Sequence, residues 1–249
     1  MSDETPPVAV GARTAAVIPA AGRGVRLGPG APKALRALSG IPMLVHAVRA
    51  MAASRSVSLV VVVAPPDGAA EVKSLLADHS LPERTDFVVV PGGESRQESV
   101  KLGLDALPDT IDIVLVHDAA RPLVPVDTVD AVIEAVRDGA PAVVPALPLA
   151  DTVKEVVPST DGSPEPVVAT PSRARLRAVQ TPQGFDHDTL VRAHETVTDD
   201  VTDDASMVEK LGLQVVLVPG HEEAFKVTRP LDLVLAEAVL ARRRANDGF

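Results

Sequence analysis

Three glycines and two cations near the start of the chain raise the first chemical question. The apolar strand Ala16-Val17-Ile18 runs into Pro19-Ala20-Ala21-Gly22-Arg23-Gly24-Val25-Arg26-Leu27-Gly28, and Pro32-Lys33 follows. Gly22, Gly24 and Gly28 permit sharp turns and let backbone N–H groups approach a phosphate with no Cβ in the way. Arg26 and Lys33 add cationic side chains at the edge of the same loop. Fixed positive charge after a buried strand suits a triphosphate. The spacing is not that of the GxxxxGK[ST] phosphate loop, because Lys33 follows a proline. It nearly meets the GxGxxG dinucleotide pattern, but basic and proline-rich sequence stands where the helix of that motif should begin. Taken alone, the loop also admits a plainer reading, a glycine-rich turn with solvated cations.

Asp118 is the second candidate, a carboxylate just beyond the apolar run Ile111–Val116. A residue so placed can cap a helix or join an ion pair. Beside a triphosphate loop it reads better as a Mg²⁺ ligand, since that ion takes one or two carboxylates and fills its shell with substrate phosphates. His117 reads as a packing or backbone-bonding residue, for no second His lies at ligand spacing. His187 and His194 lack the HExxH arrangement of a zinc protease. No GxSxG elbow or Ser-His-Asp ordering supports hydrolase chemistry.

Alternating elements must position these groups. Val57–Ala64 is an almost unbroken β-branched run, as expected of a parallel strand buried on both faces. Phe87–Val90, Ile111–Val116, Ala142–Val144 and Gln214–Val218 are comparable, and Val129, Val132, Ile133 and Val136 mark a helix between two of them. Pro42 and Pro230 fit the first turns of helices. The expected fold is α/β, a Rossmann-like, mostly parallel sheet flanked by helices. In such sheets ligands sit beyond the carboxyl ends of the strands, and polar clusters stand at five of those ends. They are the glycine loop, Pro91–Ser99, His117–Pro122, Asp151–Lys154 and Lys226–Pro230. Together they read as one site. One segment breaks the rhythm: 151–157 and 165–170 look like two strands joined by a turn with the hairpin signal Asp161-Gly162. Residues 149–177 are therefore expected to form a β-arm. An isolated two-stranded arm is marginal in water, so packing on a second subunit, in a homodimer, is the leading assembly.

Composition narrows the function classes. With 249 residues, 46% apolar and 23% charged, the chain can bury a core as one domain over 14–249, preceded by a flexible tail over 1–13. A formal charge of −10 disfavours nucleic acid or an anionic membrane as the main partner. Four Phe with no Trp or Tyr leave little for stacking on single strands. The absence of cysteine removes disulfides, thiolate metal sites and cysteine nucleophiles, and permits a cytoplasmic location. No apolar stretch reaches the ~18–20 residues that span a bilayer. A soluble, cytoplasmic protein is the expectation.

The motifs also occur together, in order: Pro19-Ala-Ala-Gly22…Arg26…Pro32-Lys33, Gly92-Gly93-Glu94-Ser95-Arg96…Ser99-Val100, His117-Asp-Ala-Ala-Arg-Pro122, Asp151-Thr-Val-Lys154, Gln180-Thr-Pro-Gln183, Thr202-Asp-Asp-Ala205 and Lys226-Val-Thr-Arg-Pro230. This set resembles the 2-C-methyl-D-erythritol 4-phosphate cytidylyltransferases of the non-mevalonate isoprenoid pathway. The resemblance covers nearly everything after residue 13, and HDAARP with a downstream KVTRP is its specific part. It implies that CTP and methylerythritol phosphate are joined to the CDP-alcohol with release of pyrophosphate, with Mg²⁺, in a homodimer whose arm reaches the partner's site. Arg26, Lys33, Arg173 and Lys226 would be catalytic, the first two stabilising charge on the triphosphate, and Asp118 would hold the metal. Ala20, Ala21, Gly22, Gly24, Gly93, Glu94, Ser99 and Ala119 would bind the nucleotide. Arg121, Thr152, Arg173 and Lys226 would bind the second substrate, with Thr152 and Arg173 acting on the site of the other subunit. Arg23, Val25 and Leu35 depart from the residue types usual at their positions.

The inventory suits that chemistry. A phosphate monoester, with its second pKa near ~6, is already mostly a dianionic nucleophile at neutral pH. It needs no general base, only cations and a metal against repulsion and against charge growing on pyrophosphate. Three other functions would fit the pattern less well. A cytidylyltransferase for another polyol phosphate such as ribitol 5-phosphate would differ around Thr152 and Arg173. A nicotinamide-dependent oxidoreductase would want an acidic residue where Ala64-Pro65-Pro66 stands. A nucleotide-binding regulator without turnover would have no use for Arg26, Lys33, Asp118 and Lys226 together.

Overall fold

Residues of alternating facing build one sheet with a core on each side. The computed structural model describes residues 12–22, 32–199 and 201–247. Most of the expected tail, and Gly24 and Arg26 of the glycine loop, lie outside the described residues. The chain begins with β1 (Thr14–Pro19), then a small hairpin of β2 (Ala37–Leu38) and β3 (Ile41–Pro42). α1 (Met43–Ala53), β4 (Val57–Ala64), α2 (Ala69–Ala77), β5 (Asp86–Pro91) and α3 (Arg96–Leu104) follow. β6 (Ile113–Val116), α4 (Val126–Arg137) and β7 (Ala142–Pro148) continue the alternation. After them come β8 (Glu155–Val156), β9 (Val167–Ala169), β10 (Arg177–Val179) and β11 (Gln183–Asp186). The chain closes with α5 (His187–Thr196), α6 (Asp204–Lys210), β12 (Val215–Pro219) and α7 (Pro230–Asp247).

β6, β1, β4 and β5 are parallel neighbours. β7 is separated from β6 by β11, which runs antiparallel to both. β10 pairs antiparallel with the far end of β7, and β12 runs parallel along it. The mostly parallel α/β sheet is as the sequence pattern indicates. The pattern does not show β11, whose four residues include a glycine and two polar side chains. Side chains alternate strictly between the two cores, as the period of two in a strand requires. Ala16, Ile18, Val60 and Val62 face α1, α2 and α4, while Ala15, Val17, Val61 and Val63 face α3, α5 and α6. A third, smaller core joins α7 to the β2–β3 hairpin through Leu38, Met43, Val227, Ala236 and Val239.

The boundaries shift in small, explicable ways. Ile111 and Asp112 fall outside β6, because their N–H groups bond to Pro108 and Arg13 instead of a neighbouring strand. β7 runs to Pro148, four residues beyond the expected Val144, since β10 and β12 both bond its second half. Pro230 opens α7, whereas Pro42 caps α1 from one residue ahead. Arg13, placed in the tail by the sequence reading, is tied to the body: its N–H donates to Asp112 Oδ2 at 2.8 Å.

Between residues 149 and 177, β8 and β9 pair antiparallel with each other and join no other sheet. Gly162 takes the left-handed conformation (φ +81°) in the connecting turn, and Asp161 accepts from Ser159 and Ser163 there. Val157, Val167 and Val168 are exposed on this arm. No helix among the described residues is long and apolar enough to cross a membrane.

Candidate active site

The carboxyl ends of β1, β5 and β6 meet on one side of the sheet because the three strands are parallel and nearly in register. Backbone bonds extend the ladder into the loops: Ala20 N–H donates to Val63 O and Gly92 N–H to Ala64 O, each at 2.8 Å. Two adjoining cavities, about 230 and 140 Å³, open there. Both are lined by Pro19, Gly22 and Asp118. A Cβ at Gly22 would meet nothing within 4 Å. Among the described residues no atom crowds that position, which leaves the backbone of Gly22 open to the cavity.

The wall of the larger cavity is Ala21, Gly93, Glu94, Ser95, Arg96 and Ser99. It is fixed by the start of α3, where Ser95 caps the helix and its hydroxyl accepts from Glu98 N–H at 3.0 Å. Glu98 reaches back to accept from Glu94 N–H at 2.8 Å. This is close to the reciprocal capping box that the sequence Ser95-Arg96-Gln97-Glu98 spells. The Ser99 hydroxyl donates to Ser95 O and accepts from Gly93 N–H. Ser99 is therefore engaged in holding the loop.

The smaller cavity is lined by Lys33, Ala34, Ala119, Ala120 and Lys226 besides the shared residues and Ala20. Lys226 belongs to the segment after β12, anchored by Val227 N–H donating to Ala120 O at 2.8 Å. Its Nζ lies 2.8 Å from Asp118 Oδ2, and Arg121 Nε lies 3.7 Å from the same oxygen. Burial pushes the Asp118 carboxyl up, but Lys226 foremost, with Arg96 and Arg121, pulls it down to about 2. Asp118 is a firmly ionised carboxylate in the wall common to both cavities.

His117 is fully buried and its imidazole is pushed down to about 4, chiefly by burial. Its Nε2 lies 3.1 Å from Arg121 O and its Nδ1 3.0 Å from the Thr181 hydroxyl, which itself accepts from Asp118 N–H at 3.0 Å. A neutral ring protonated at Nε2 satisfies all of these contacts. His117 thus pins the turn that presents Asp118, in keeping with the packing role read from the sequence.

Four of the five expected strand-end clusters converge here. Lys33, Lys226, Asp118, Ala20, Ala21, Gly22, Gly93, Glu94, Ser99 and Ala119 are brought together. Arg121 lies beside the site but is engaged as a strut: Nη1 donates to Ala224 O at 2.7 Å and Nη2 to Val179 O at 3.2 Å. Thr152 and Arg173, on the exposed arm, line neither cavity. Arg173 donates to Ala150 O within its own segment. Arg96, to which the sequence reading gave no role, does line the larger cavity. The signal was its place directly after a capping serine, at the first turn of a helix pointing its N-terminus at the loop.

A profile of the 2-C-methyl-D-erythritol 4-phosphate cytidylyltransferases matches residues 14–242. The chain belongs to this family. It is 88% identical over 250 residues, spanning all of both chains, to the 2-C-methyl-D-erythritol 4-phosphate cytidylyltransferase of Streptomyces avermitilis. Its fold is similar to that of the crystallised 4-diphosphocytidyl-2C-methyl-D-erythritol synthase of Anaerococcus prevotii, with TM-score 0.77 and 27% identity over 93% of this chain and 97% of that one. The cytidylyltransferase of Thermus thermophilus superposes with TM-score 0.69 and 35% identity over 90% and 97%. As a member of the methylerythritol phosphate cytidylyltransferases the chain is a nucleotidyltransferase of isoprenoid biosynthesis, with CTP and methylerythritol phosphate as substrates.

Proposed function

We propose that the larger cavity holds the cytidine end of CTP and that the smaller one is where the two phosphates react. The observation that carries this reading is the position of Asp118. It stands ionised between a cavity walled largely by small residues, with Glu94 and Arg96 at its side, and a cavity walled by Lys33 and Lys226. The small residues Ala21, Gly22 and Gly93 leave the cavity wall open to a flat base. Lysines suit phosphate oxygens as compact, strongly hydrated charges.

The donor set around Asp118 fits Mg²⁺, because one hard carboxylate is enough for an ion that takes its other ligands from phosphates and water. Bound there, Mg²⁺ would neutralise triphosphate charge and polarise the phosphorus under attack. The remaining tasks fall to this chain's own residues. Lys33, with Arg26 beyond the described residues, faces the charge that grows as pyrophosphate leaves. Lys226 orients the methylerythritol phosphate dianion and lowers its repulsion from the triphosphate. His117 holds Asp118 in place and exchanges no proton with substrate, since its buried ring stays neutral at pH 7.

The exposed β8–β9 arm, with its valines unpaired to the body, supports a homodimer in which Thr152 and Arg173 serve the neighbouring subunit. The chain is read as one nucleotidyltransferase domain with residues 149–177 as that dimerisation arm, acting in the cytoplasm. The test is release of pyrophosphate from CTP and Mg²⁺ across a panel of polyol phosphates. Methylerythritol phosphate should give the highest kcat/KM. Faster turnover of ribitol 5-phosphate, or turnover unaffected by chelation of the metal, would overturn the corresponding part of the reading.

A further inference from the structure

One buried carboxylate has no part in the chemistry above. Asp204 opens α6, its side chain is 1% exposed, and it lines neither cavity. His194 Nε2, from α5, lies 3.1 Å from Oδ1, and Arg96 Nη2, from α3, lies 2.7 Å from Oδ2. Because an ionised carboxylate only accepts, His194 is the donor through Nε2. Three helices therefore meet at one carboxylate. Their relative positions are fixed close by, where the Gln183 amide donates through Nε2 to Asp203 Oδ2 at 2.7 Å and accepts through Oε1 from Ala205 N–H at 3.1 Å. Gln97 Nε2 donates to Val197 O at 2.8 Å and ties α3 to the end of α5.

A buried carboxylate is costly to keep even when paired, and an apolar residue of similar size often serves stability as well. The core that α5 and α6 share, with Leu190, Ala193, Met207 and Val208, is already apolar. What an apolar residue would not supply is a fixed anchor for Arg96. That side chain is 36% exposed and lines the larger cavity, while its Nη2 is held by Asp204. It has a competing attractor in Asp118, whose charge also acts on it. A long side chain left loose loses conformational entropy when a ligand orders it, and a pre-ordered one does not.

We propose that Asp204, seated by His194, is a positioning residue that holds Arg96 at the cavity wall, preorganised for an anionic group of the nucleotide and kept off Asp118. This rests on the larger cavity being the CTP site. Binding of CTP with Mg²⁺ is measured by calorimetry on the full chain for the wild type, Arg96→Ala, Asp204→Asn and the double variant. Arg96→Ala should raise Kd roughly 10- to 150-fold, the range of a charge-assisted hydrogen bond. Asp204→Asn should raise it by a smaller factor, and the double variant should bind no more weakly than Arg96→Ala alone. Losses that multiply in the double variant would overturn the positioning role, because a merely structural defect acts with or without Arg96. Unchanged binding in Arg96→Ala would overturn it as well. Failure of the wild type to bind CTP would overturn the cavity assignment along with it, which the first two outcomes do not. Asp199→Asn, which removes a carboxylate paired with Lys210 on the surface, should leave Kd unchanged; an equal loss there would replace positioning by general electrostatics. Should Asp204→Asn fail to fold, His194→Gln keeps the carboxylate and loosens its seat, and the same non-additivity with Arg96→Ala is expected.

Discussion

Replacing Asp118 by asparagine removes one charge and leaves the shape of the side chain almost unaltered. In the metal-free protein that charge is held by Lys226 at 2.8 Å and Arg121 at 3.7 Å. The carboxyl falls from 3.8 to about 2 although burial opposes the change. A lowering of that size corresponds to about 2 kcal/mol of stability carried by the ionised form. The sign follows from proton counting. The folded pKa is depressed, so the unfolded chain binds the proton first, and the contribution is fully present above pH 4 and lost as pH falls toward 2. Asparagine mimics the protonated acid. The gap between wild type and Asp118→Asn in urea unfolding, with chelator present, should therefore be about 2 kcal/mol at pH 7. It should shrink to roughly half by pH 3. At pH 7 the variant should remain folded while turnover falls on the order of 10²-fold or more, as when a preorganised electrostatic group is lost. A stability gap independent of pH would refute the ion-pair account. Normal turnover at ordinary Mg²⁺ concentrations would remove Asp118 from the metal site.

If Lys33 acts on the transition state as proposed, Lys33→Ala should lower kcat on the order of 10²–10³-fold while changing the Kd of CTP far less; a rapid assay of pyrophosphate release checks this, and retained turnover excludes Lys33. Arg173→Ala should raise the KM for methylerythritol phosphate roughly 10- to 150-fold with CTP affinity nearly unchanged. Mixing it with Lys33→Ala protein should restore activity in one site of each hybrid dimer, and no recovery after verified subunit exchange would mean that the arm serves its own subunit or that Arg173 serves only the fold. Gly103→Val should destabilise by about 1–3 kcal/mol through overpacking, because even a Cβ on this α3 residue would collide with Val17 and reach 2.9 Å from Val63; an unchanged thermal midpoint would show that α3 can lift off the sheet at no cost.

The parts of the site that lie at strand ends were legible in the sequence. Periodicity locates β1, β4, β5 and β6, and the polar residues following them are then bound to meet, because parallel neighbours carry their carboxyl ends to one edge. Asp118 and Lys226 were readable in this way although they lie far apart in the chain. Side-chain commitments were not legible. Arg121 has the same charge as Lys226 and sits nearer to Asp118 in sequence, yet two backbone carbonyls claim it. Nothing in a linear pattern tells a strut from a ligand. β11 was hidden for a related reason: its four residues owe their strand conformation to β6 and β7 on either side, and so to tertiary context. Arg96 needed both kinds of knowledge, the capping serine before it and the distant buried carboxylate of Asp204.

The charge arrangement explains how an acidic chain can hold two phosphorylated substrates together. Lysine and arginine number 24 against 34 acidic residues, so long-range attraction does not bring nucleotide in. The positive charge acts locally instead. Lys33, Arg96 and Lys226 line adjoining cavities, where low-dielectric walls strengthen short-range interactions. Asp118 is the carboxylate beside Lys226, and Asp204 the one beside Arg96. The two pairs differ in kind. Asp204 is sealed from solvent and cannot leave, so its cation stays where it is placed. Asp118 lies in the cavity wall, so in the function proposed above its hold on Lys226 would be exchangeable. On the proposed reading, a phosphate meeting the lysine and a metal held by the carboxylate would leave each partner with a new counter-charge. The pair thereby spares Asp118, whose side chain is only 13% exposed, from standing as an uncompensated charge in a largely desolvated place.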